Sequence, residues 1–364
     1  MKRLSTLAAT SLLAAAAATT AMAQSKVVNV YNWSDYIDDS ILTDFTAETG
    51  IRVVYDVYDS NEILETKLLA GGSGYDVVVP TGTFLQRQIQ AGVYQPLQKD
   101  KLPHLANMWP QISARLAKYD PGNEYAINYM WGTTGIGYNV EAVQARLGTD
   151  TIDSWDVIFN PETLAKFKDC GVMMLDAPDE VFRAALNHLG IDPDSKEAAD
   201  YEKATELLMT IRPSVQKFHS SEYINALANG DICIAVGWSG DILQARDRAA
   251  EANNGVTVNY AIPKQGALMW FDNMAIPADA PNVENAHAFI NYIMRPEVMA
   301  KASNYVYYAN GNLASKDFLI EDVIGDPAIY PSDATMEKLY TVSPFDARLQ
   351  RAVTRLWTSV RTGS

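Results

Sequence analysis

The sequence predicts an α/β protein built from two lobes, and three observations support this prediction. The opening third alternates strand-like and helix-like segments, and a glycine-punctuated strand near the middle is typical of a crossing between lobes. The 364 residues also exceed what one ordinary hydrophobic core holds. Two such lobes leave a cleft between them, which suits a hinge-closing binding protein or an enzyme with its site between domains.

The opening third has the order β-α-β-α-β, which predicts a parallel sheet with helices on both faces. Gly50 stands where a C-terminal glycine would end the first helix, and Pro80 stops the third strand. Ligands of such sheets bind at the carboxyl ends of the strands. In order, the predicted segments are strand 27–31, helix 39–48, strand 52–58, a helix through residue 70 and strand 75–79.

The rest of the chain begins with the glycine-punctuated strand 131–138 and then alternates helices and strands again. Gly190 and Gly230 stand at the ends of two predicted helices. The strands predicted at 256–262 and 268–276 resemble the first unit in pattern, which suggests that the chain returns there to the first lobe. We therefore expect lobe 1 to comprise 24–132 plus about 257–322, and lobe 2 about 133–256 plus about 323–364.

Residues 1–23 have the pattern of a secretory signal peptide. Lys2 and Arg3 form a basic start, an alanine-rich apolar run follows, and Ala21-Met22-Ala23 is a small-x-small cleavage pattern. The apolar run is shorter than the roughly 20 residues that a membrane span needs. We expect cleavage before Gln24 and an exported, periplasmic product.

The chain is acidic, with 44 Asp and Glu against 29 Lys and Arg residues and a net charge of −15. This balance disfavours nucleic acid and anionic membranes as partners, and it mildly favours cationic ligands. Its two cysteines, Cys170 and Cys233, pair most simply as one disulfide in an oxidising compartment. Two buried free thiols are the alternative.

An aromatic residue followed closely by an aspartate recurs at three predicted strand ends. The three occurrences are Trp33-Ser34-Asp35-Tyr36, Trp238-Ser239-Gly240-Asp241 and Trp270-Phe271-Asp272. Aromatic faces attract cations and carboxylates neutralise them, so converging strand ends would form a slot for an elongated organic cation. A single aspartate in such a position is more often a helix N-cap, a role that Asp241 could also take.

Catalytic and metal-binding patterns are weak. Gly237-Trp238-Ser239-Gly240-Asp241 has an aspartate where a nucleophile elbow needs glycine. No phosphate-binding loop, dinucleotide fingerprint or zinc spacing occurs in the sequence. Tyr307 and Tyr308 could bind ferric iron only with nearby histidine or carboxylate support. We therefore expect no enzyme activity, no cofactor and no metal.

Several motifs together resemble the periplasmic polyamine-binding proteins of ABC importers, most closely their putrescine-binding branch. The resemblance covers essentially the whole mature chain. The motifs that carry it are Tyr31-Asn32-Trp33-Ser34-Asp35-Tyr36, Tyr75-Asp76-Val77-Val78-Val79-Pro80, Phe218-His219-Ser220-Ser221, Gly237-Trp238-Ser239-Gly240-Asp241, Phe271-Asp272 and Tyr308-Ala309-Asn310.

The resemblance implies a two-lobed periplasmic-binding-protein fold of type II, with a hinge between the lobes and one polyamine in the cleft. The partner it implies is the membrane permease, and we expect the protein to be a monomer. Asp241 would hold one ammonium end of the ligand, and Asp35 and Asp272 the other. The ligand-binding residues it implies are Trp33, Ser34, Asp35, Tyr36, Thr81, Thr83, Glu180, Ser221, Trp238, Asp241, Trp270, Asp272 and Tyr308. The disulfide it implies joins Cys170 and Cys233.

Two departures from the family pattern concern the choice of amine. Thr81-Gly82-Thr83 stands where the family usually carries serine, and Trp270 stands where the putrescine branch often has phenylalanine. The preferred ligand is therefore predicted as putrescine, with spermidine, agmatine or cadaverine as alternatives. The competing functions are a polyamine sensor, a ferric or sugar receptor, and a polyamine-modifying enzyme.

Overall fold

In the computed structural model, residues 26–364 form a mixed β-sheet with helices packed on its faces. The signal peptide expected at residues 1–23 lies outside the described residues. Within 26–364, no helix has both the length and the apolar character needed to cross a membrane.

The strands of this region are joined in one sheet whose central path is β2-β1-β3-β9-β4-β7-β5-β6, with β8 and β10 also pairing with β4. In chain order the strands are β1 (Val27–Trp33), β2 (Arg52–Tyr58), β3 (Val77–Val78), β4 (Ala126–Asn139), β5 (Val172–Met174), β6 (Lys217–Phe218), β7 (Ile234–Trp238), β8 (Val258–Ala261), β9 (Met269–Ala275) and β10 (Ala309–Asn310).

The helices lie on the faces of this sheet and at its ends. In chain order they are α1 (Asp39–Thr49), α2 (Asn61–Leu69), α3 (Gly82–Gln90), α4 (Pro110–Leu116), α5 (Val140–Leu147), α6 (Asp156–Phe159), α7 (Pro161–Leu164), α8 (Pro178–His188), α9 (Ala198–Ile211), α10 (Glu222–Asn229), α11 (Ser239–Ala252), α12 (Val283–Ile293), α13 (Pro296–Val306), α14 (Glu321–Ile324), α15 (Asp333–Met336) and α16 (Ala347–Thr362). Short 3-10 helices occupy Lys99–Lys101, Pro103–Asn107, Ala165–Phe167, Arg212–Ser214 and Leu313–Phe318.

The β-α-β-α-β order predicted for the opening third is confirmed. β1 lies between β2 and β3 and pairs with both in parallel. Helix α1 starts at its N-cap Asp38 and ends at Gly50, whose φ of 71° is the left-handed conformation that glycine adopts at low cost. The carboxyl ends of these strands therefore meet at one edge of the sheet, next to the residues that follow Trp33.

Strand β4 belongs to both halves of the sheet. Its first part pairs with β9 as far as Thr133, and its second part pairs with β7 and β8 from Thr134 onward. A Cβ atom at Gly135 would lie 2.5 Å from the carbonyl oxygen of Ala261, so a side chain there would collide with the neighbouring strand. Close packing between strands thus explains part of the glycine punctuation seen in the sequence.

The expected return to the first lobe at about residue 257 stays a prediction, and the strand pairing favours a later return. β8 pairs with the part of β4 that also pairs with β7, so it lies in the second half of the sheet. β9 is the strand that pairs with β3, through Val78 and Ala275. We therefore propose that the first lobe resumes at β9. The hydrophobic patterns of β8 and β9 are alike, and only their partners distinguish them.

The disulfide predicted from the two cysteines is confirmed. Cys170 precedes β5 and Cys233 precedes β7, and these two strands are parallel neighbours. Their Cα atoms lie 5.6 Å apart, within the usual range for a disulfide. The bond closes the chain segment between the two cysteines in the second half of the sheet. The two cysteines themselves do not line the cavity in the cleft.

Candidate functional site

A cavity lies where the two halves of the sheet face each other, at the ends of β1 and β7. Ten of the thirteen residues predicted as ligand-binding line this cavity, together with Asp59 and Ser220. The lining residues are Trp33, Ser34, Tyr36, Asp59, Thr81, Glu180, Ser220, Trp238, Asp241, Trp270, Asp272 and Tyr308.

The three aromatic–aspartate segments do converge, but the third does so by a different route from the one predicted. Trp33 and Trp238 are the last residues of β1 and β7. Trp270 and Asp272 instead lie near the start of β9. Because β9 runs antiparallel to β3, its amino end meets the carboxyl end of β3, where Asp272 forms a β-bridge with Thr81.

Asp241 lies in the first turn of α11 and is buried, with 8% of its surface exposed. Its two carboxylate oxygens accept hydrogen bonds of 2.7 Å from the hydroxyl groups of Tyr308 and Tyr223. Burial raises the pKa of Asp241 to about 6, although both hydroxyl groups act in the opposite direction. Since its side chain is occupied in this way, it does not act as the helix N-cap that the sequence also allowed.

Asp272 is the second buried carboxylate of the cavity, with 5% of its surface exposed. It accepts hydrogen bonds from Thr81 Oγ1 at 2.6 Å and from the Tyr36 hydroxyl at 2.8 Å. Burial raises its pKa to about 7. Thr81 thus provides the hydroxyl group that we expected at this loop, and it positions the carboxylate.

Glu180, in the first turn of α8, supplies a third carboxylate. Its Oε1 accepts a hydrogen bond of 2.9 Å from Trp238 Nε1, and its Oε2 accepts one from the Thr134 hydroxyl. Burial is the largest cause that raises the pKa of Glu180 to about 7, and nearby Asp272 and Asp179 raise it further. Glu180 therefore connects helix α8 to both β4 and β7.

Aromatic rings form the walls between these carboxylates. Trp33 and Trp238 approach edge to face across the cleft, with ring centroids 5.7 Å apart. Trp270 and Tyr308 also pack edge to face, with ring centroids 5.2 Å apart. Trp33 is fixed by a 2.9 Å hydrogen bond from its Nε1 to the Val79 carbonyl. Such walls remove a methylene chain from water and present π faces to the ammonium groups at its ends.

Three predicted residues lie outside this cavity. Asp35 is exposed, has a φ of 53°, and pairs with Arg248 of α11 at 2.8 Å. Ser221 precedes α10, and its backbone N–H donates to His219 Nδ1. Thr83 lies in α3 and lines an adjoining cavity instead. Each of these three residues is adjacent to, or two positions from, a residue that lines the cavity. Their side chains point in a different direction from those of the lining residues.

Sequence reasoning missed three residues of the site. Asp59 and Ser220 line the cavity directly. Tyr223 is buried in the first turn of α10, and its hydroxyl donates to Asp241. Ser220 could have been found from Phe218-His219-Ser220-Ser221, where the neighbouring serine was chosen. Tyr223 gave no signal, because a tyrosine on an amphipathic helix is usually a core residue.

The groups that line the cavity carry an excess of negative charge. Four carboxylates line it, and among the residues of 26–364 that line it there is no Lys, Arg or His. Buried carboxylates without a cationic partner favour a ligand that brings positive charge. The arrangement can therefore hold an elongated cation, with hydrogen-bonded carboxylates at its ends and aromatic rings along its length.

Comparison with known proteins identifies the family. Residues 40–331 match the family described as bacterial extracellular solute-binding protein. The chain belongs to this family. It is similar to the putrescine-binding periplasmic protein PotF of Escherichia coli, with 52% identity over 100% of this chain and 98% of that protein. It is also similar to the putrescine-binding periplasmic protein SpuD of Pseudomonas aeruginosa, with 53% identity over 100% of both chains.

Solved structures agree with the sequence comparison. The spermidine/putrescine ABC transporter substrate-binding protein PotD from Streptococcus pneumoniae aligns with a TM-score of 0.75 and 31% identity, covering 93% of this chain and 99% of that one. The fold expected for a two-lobed periplasmic binding protein is therefore confirmed.

Proposed function

We propose that this protein is the periplasmic solute-binding component of an ABC importer, that it binds a polyamine, and that putrescine is its preferred ligand. The observation that carries the proposal is the pair Asp241 and Asp272, both buried in one cavity that no basic side chain of the described chain lines. The names of its relatives PotF and SpuD, each a putrescine-binding periplasmic protein, support the same ligand.

In the proposed complex, Asp241 neutralises one ammonium group and Asp272 the other. Each is a charge-assisted hydrogen bond, which contributes roughly 1.5–3 kcal/mol. The Trp33, Trp238 and Trp270 rings cover the methylene chain, and burial of that chain adds about 0.8 kcal/mol for each methylene group. Because these residues come from both halves of the sheet, ligand contacts favour the closed form over an open one.

The proposed biological setting follows from the same family. We propose that the protein acts as a monomer in the periplasm after removal of its signal peptide, and that its closed form presents the amine to the permease. No covalent step is involved. The acidic surface, with a net charge of −15, supports the choice of a cationic small molecule over nucleic acid as ligand.

The test is calorimetric titration of the mature protein, stripped of ligand by unfolding and refolding, with putrescine, cadaverine, agmatine and spermidine in parallel. We expect one site per chain and micromolar or tighter binding of putrescine, equivalent to about −8 kcal/mol or better. A neutral sugar of similar length serves as the control ligand. If none of the four amines binds, or if the sugar binds as well as putrescine, the proposed function is wrong.

A further inference from the structure

The cavity contains more carboxylates without a cationic partner than a diamine has charges. Asp241, Asp272 and Glu180 each face it, and none of the three forms an ion pair with a Lys, Arg or His of the described chain. A diamine brings two positive charges and neutralises two carboxylates. An uncompensated buried carboxylate is costly, so the third must hold a proton or meet a third positive charge.

Two of the carboxylates are surrounded by hydroxyl groups that are already oriented as donors. The backbone N–H of Asp241 donates to the Tyr308 hydroxyl oxygen at 3.1 Å, and the N–H of Trp238 donates to that of Tyr223 at 3.2 Å. Asn61 Nδ2 donates to Thr81 Oγ1 at 2.9 Å in the same way. A hydroxyl oxygen that already accepts a bond favours donation of its hydrogen to the carboxylate, so both oxygens of Asp241 and the Oδ1 of Asp272 face preset donors. The Tyr36 hydroxyl at Asp272 Oδ2 accepts no such bond within residues 26–364.

Neither oxygen of Glu180 faces such a preset hydroxyl group. Its Oε1 accepts from Trp238 Nε1, which can only donate. Its Oε2 contacts the Thr134 hydroxyl, and within residues 26–364 no other group donates to that hydroxyl oxygen. Thr134 can therefore donate to an ionised Glu180 or accept from a protonated one. The hydrogen bond is preserved in both protonation states, so Glu180 can change its charge without rearranging its neighbours.

The surroundings of Glu180 favour such a change. The charges of Asp179 and Asp272 act on it, and its own charge acts on the hydroxyl groups of Tyr223, Tyr260 and Tyr340. Arg87 of α3 and Arg183 of α8 act on the neighbouring Asp179. Burial with these neighbours raises the pKa of Glu180 to about 7.

Glu180 also stands where a longer ligand would extend. It lines both the ligand cavity and the adjoining cavity, whereas Asp241 lines only the first. The adjoining cavity is also lined by the carboxylates of Asp59, Glu62 and Asp179, and Asp179 Oδ2 is buried without a hydrogen-bond partner among residues 26–364. A chain that continues past Glu180 therefore enters a space that favours positive charge.

We propose that Glu180 exchanges its proton for the third positive charge of a triamine, so that a diamine binds with the Glu180 carboxyl protonated and a triamine binds with it ionised. The released proton passes to solvent, and no covalent bond to the ligand forms or breaks. This inference rests on the proposed function, since it concerns how the same cavity distinguishes amines by their charge.

The experiment is proton counting by calorimetry. Putrescine and spermidine are each titrated into the wild-type protein in two buffers of different ionisation enthalpy. The titrations are made near pH 7, where aliphatic amines are protonated. We expect spermidine binding to release about one proton more than putrescine binding. As the pH rises, spermidine affinity should therefore increase relative to putrescine affinity by about tenfold per pH unit. This holds over the pH interval in which spermidine binding releases one proton more.

Two variants identify the group that loses the proton. Glu180→Gln imitates the protonated carboxyl, so the difference in proton release should disappear, and spermidine affinity should fall by at least about tenfold more than putrescine affinity does. Asp247→Asn on α11 is the control, because Asp247 lines neither cavity, and it should retain the difference. Equal proton counts for both amines in the wild type would overturn the inference, as would a difference that persists in Glu180→Gln. If neither amine binds the wild type, the proposed function itself has failed.

Discussion

Arg248 of α11 reaches the carboxylate of Asp35, which follows β1, at 2.8 Å. The two residues belong to opposite halves of the sheet, so this ion pair joins them outside the cavity. It also gives Asp35 a partner other than ligand, although the sequence pattern placed Asp35 among the groups that hold an ammonium. The side chains are 34% and 43% exposed, and ion pairs in such positions contribute about 0.2–1 kcal/mol.

Asp35→Asn should therefore weaken putrescine binding by no more than about fivefold, because only the contribution of an exposed ion pair to closure is lost. Arg248→Ala should have the same effect, and the two losses should not add in the double variant. Titration at low and high salt checks this, since screening should reduce the difference from wild type. Arg295→Ala, which breaks an ion pair with Glu48 within the first half of the sheet, is the control. A loss above about tenfold in Asp35→Asn would restore Asp35 to the ligand site.

Asp241→Asn should weaken putrescine binding by more than about tenfold, because it removes the charge of a buried, charge-assisted contact. Asp247→Asn on the same helix is the matched control, since Asp247 lies outside the cavity beside Tyr307. Calorimetry on both variants, with thermal unfolding to show that each is folded, measures the effect. An unchanged affinity in Asp241→Asn would remove this residue as an ammonium anchor.

Gly240→Ala should disrupt the site through Tyr308. A Cβ atom at position 240 would lie 2.4 Å from Tyr308 Cδ2, closer than real contacts allow, so the ring must move. That movement would break the 2.7 Å bond from the Tyr308 hydroxyl to Asp241. We expect putrescine affinity to fall by about tenfold or more. Tyr308→Phe keeps the ring and loses only the hydroxyl, so a smaller loss in that variant would show that ring position matters as well.

Putrescine affinity should rise between pH 5 and pH 8. Burial raises the pKa values of Asp241 and Asp272 to about 6 and about 7, so at pH 5 both carboxyl groups of the closed form hold protons that an ammonium must displace. At pH 8 both are mostly ionised and this cost is small. We expect at least about a tenfold difference in Kd between the two pH values. In Asp241→Asn one titrating group is gone, so the slope should be shallower; an affinity that is flat or falls with pH contradicts the assignment.

Removal of the disulfide should lower stability without changing the site. Cys170 and Cys233 are 63 residues apart in sequence, and closing a loop of that length contributes about 4 kcal/mol in the chain-entropy model. The double variant Cys170→Ser/Cys233→Ser should lose roughly that much in denaturant unfolding. The wild type in strong reductant provides the comparison. Unchanged stability would mean that the bond constrains little in the unfolded chain.

The sequence alone predicted those parts of the molecule that depend on local order. The strand and helix order around Gly50 follows from periodicity and capping. Trp238 and Asp241 lie where β7 runs directly into α11, so the order of strand and helix already places them at the carboxyl end of a strand. Asp35 shows the limit of such reasoning. It occupies the expected strand end, yet its positive φ directs it outward, and a backbone angle cannot be inferred from residue type alone for a non-glycine residue.

The remaining differences depend on pairing between distant segments. Asp272 reaches the site from the start of an antiparallel strand, and β8 belongs to the second half of the sheet although its hydrophobic pattern matches that of β9. Tyr223 acts on Asp241 from a helix whose position is fixed only in the folded protein. These relationships arise from tertiary contacts, which periodicity along a single segment does not encode.

Strand β4 is shared by both halves of the sheet, and the residue at which its partners change, Thr134, also contacts Glu180. The bond between Glu180 and Thr134 therefore ties the ligand cavity to the one strand that both halves of the sheet share. A substitution at Glu180 that is chosen to alter which amine is bound also removes a contact to that shared strand.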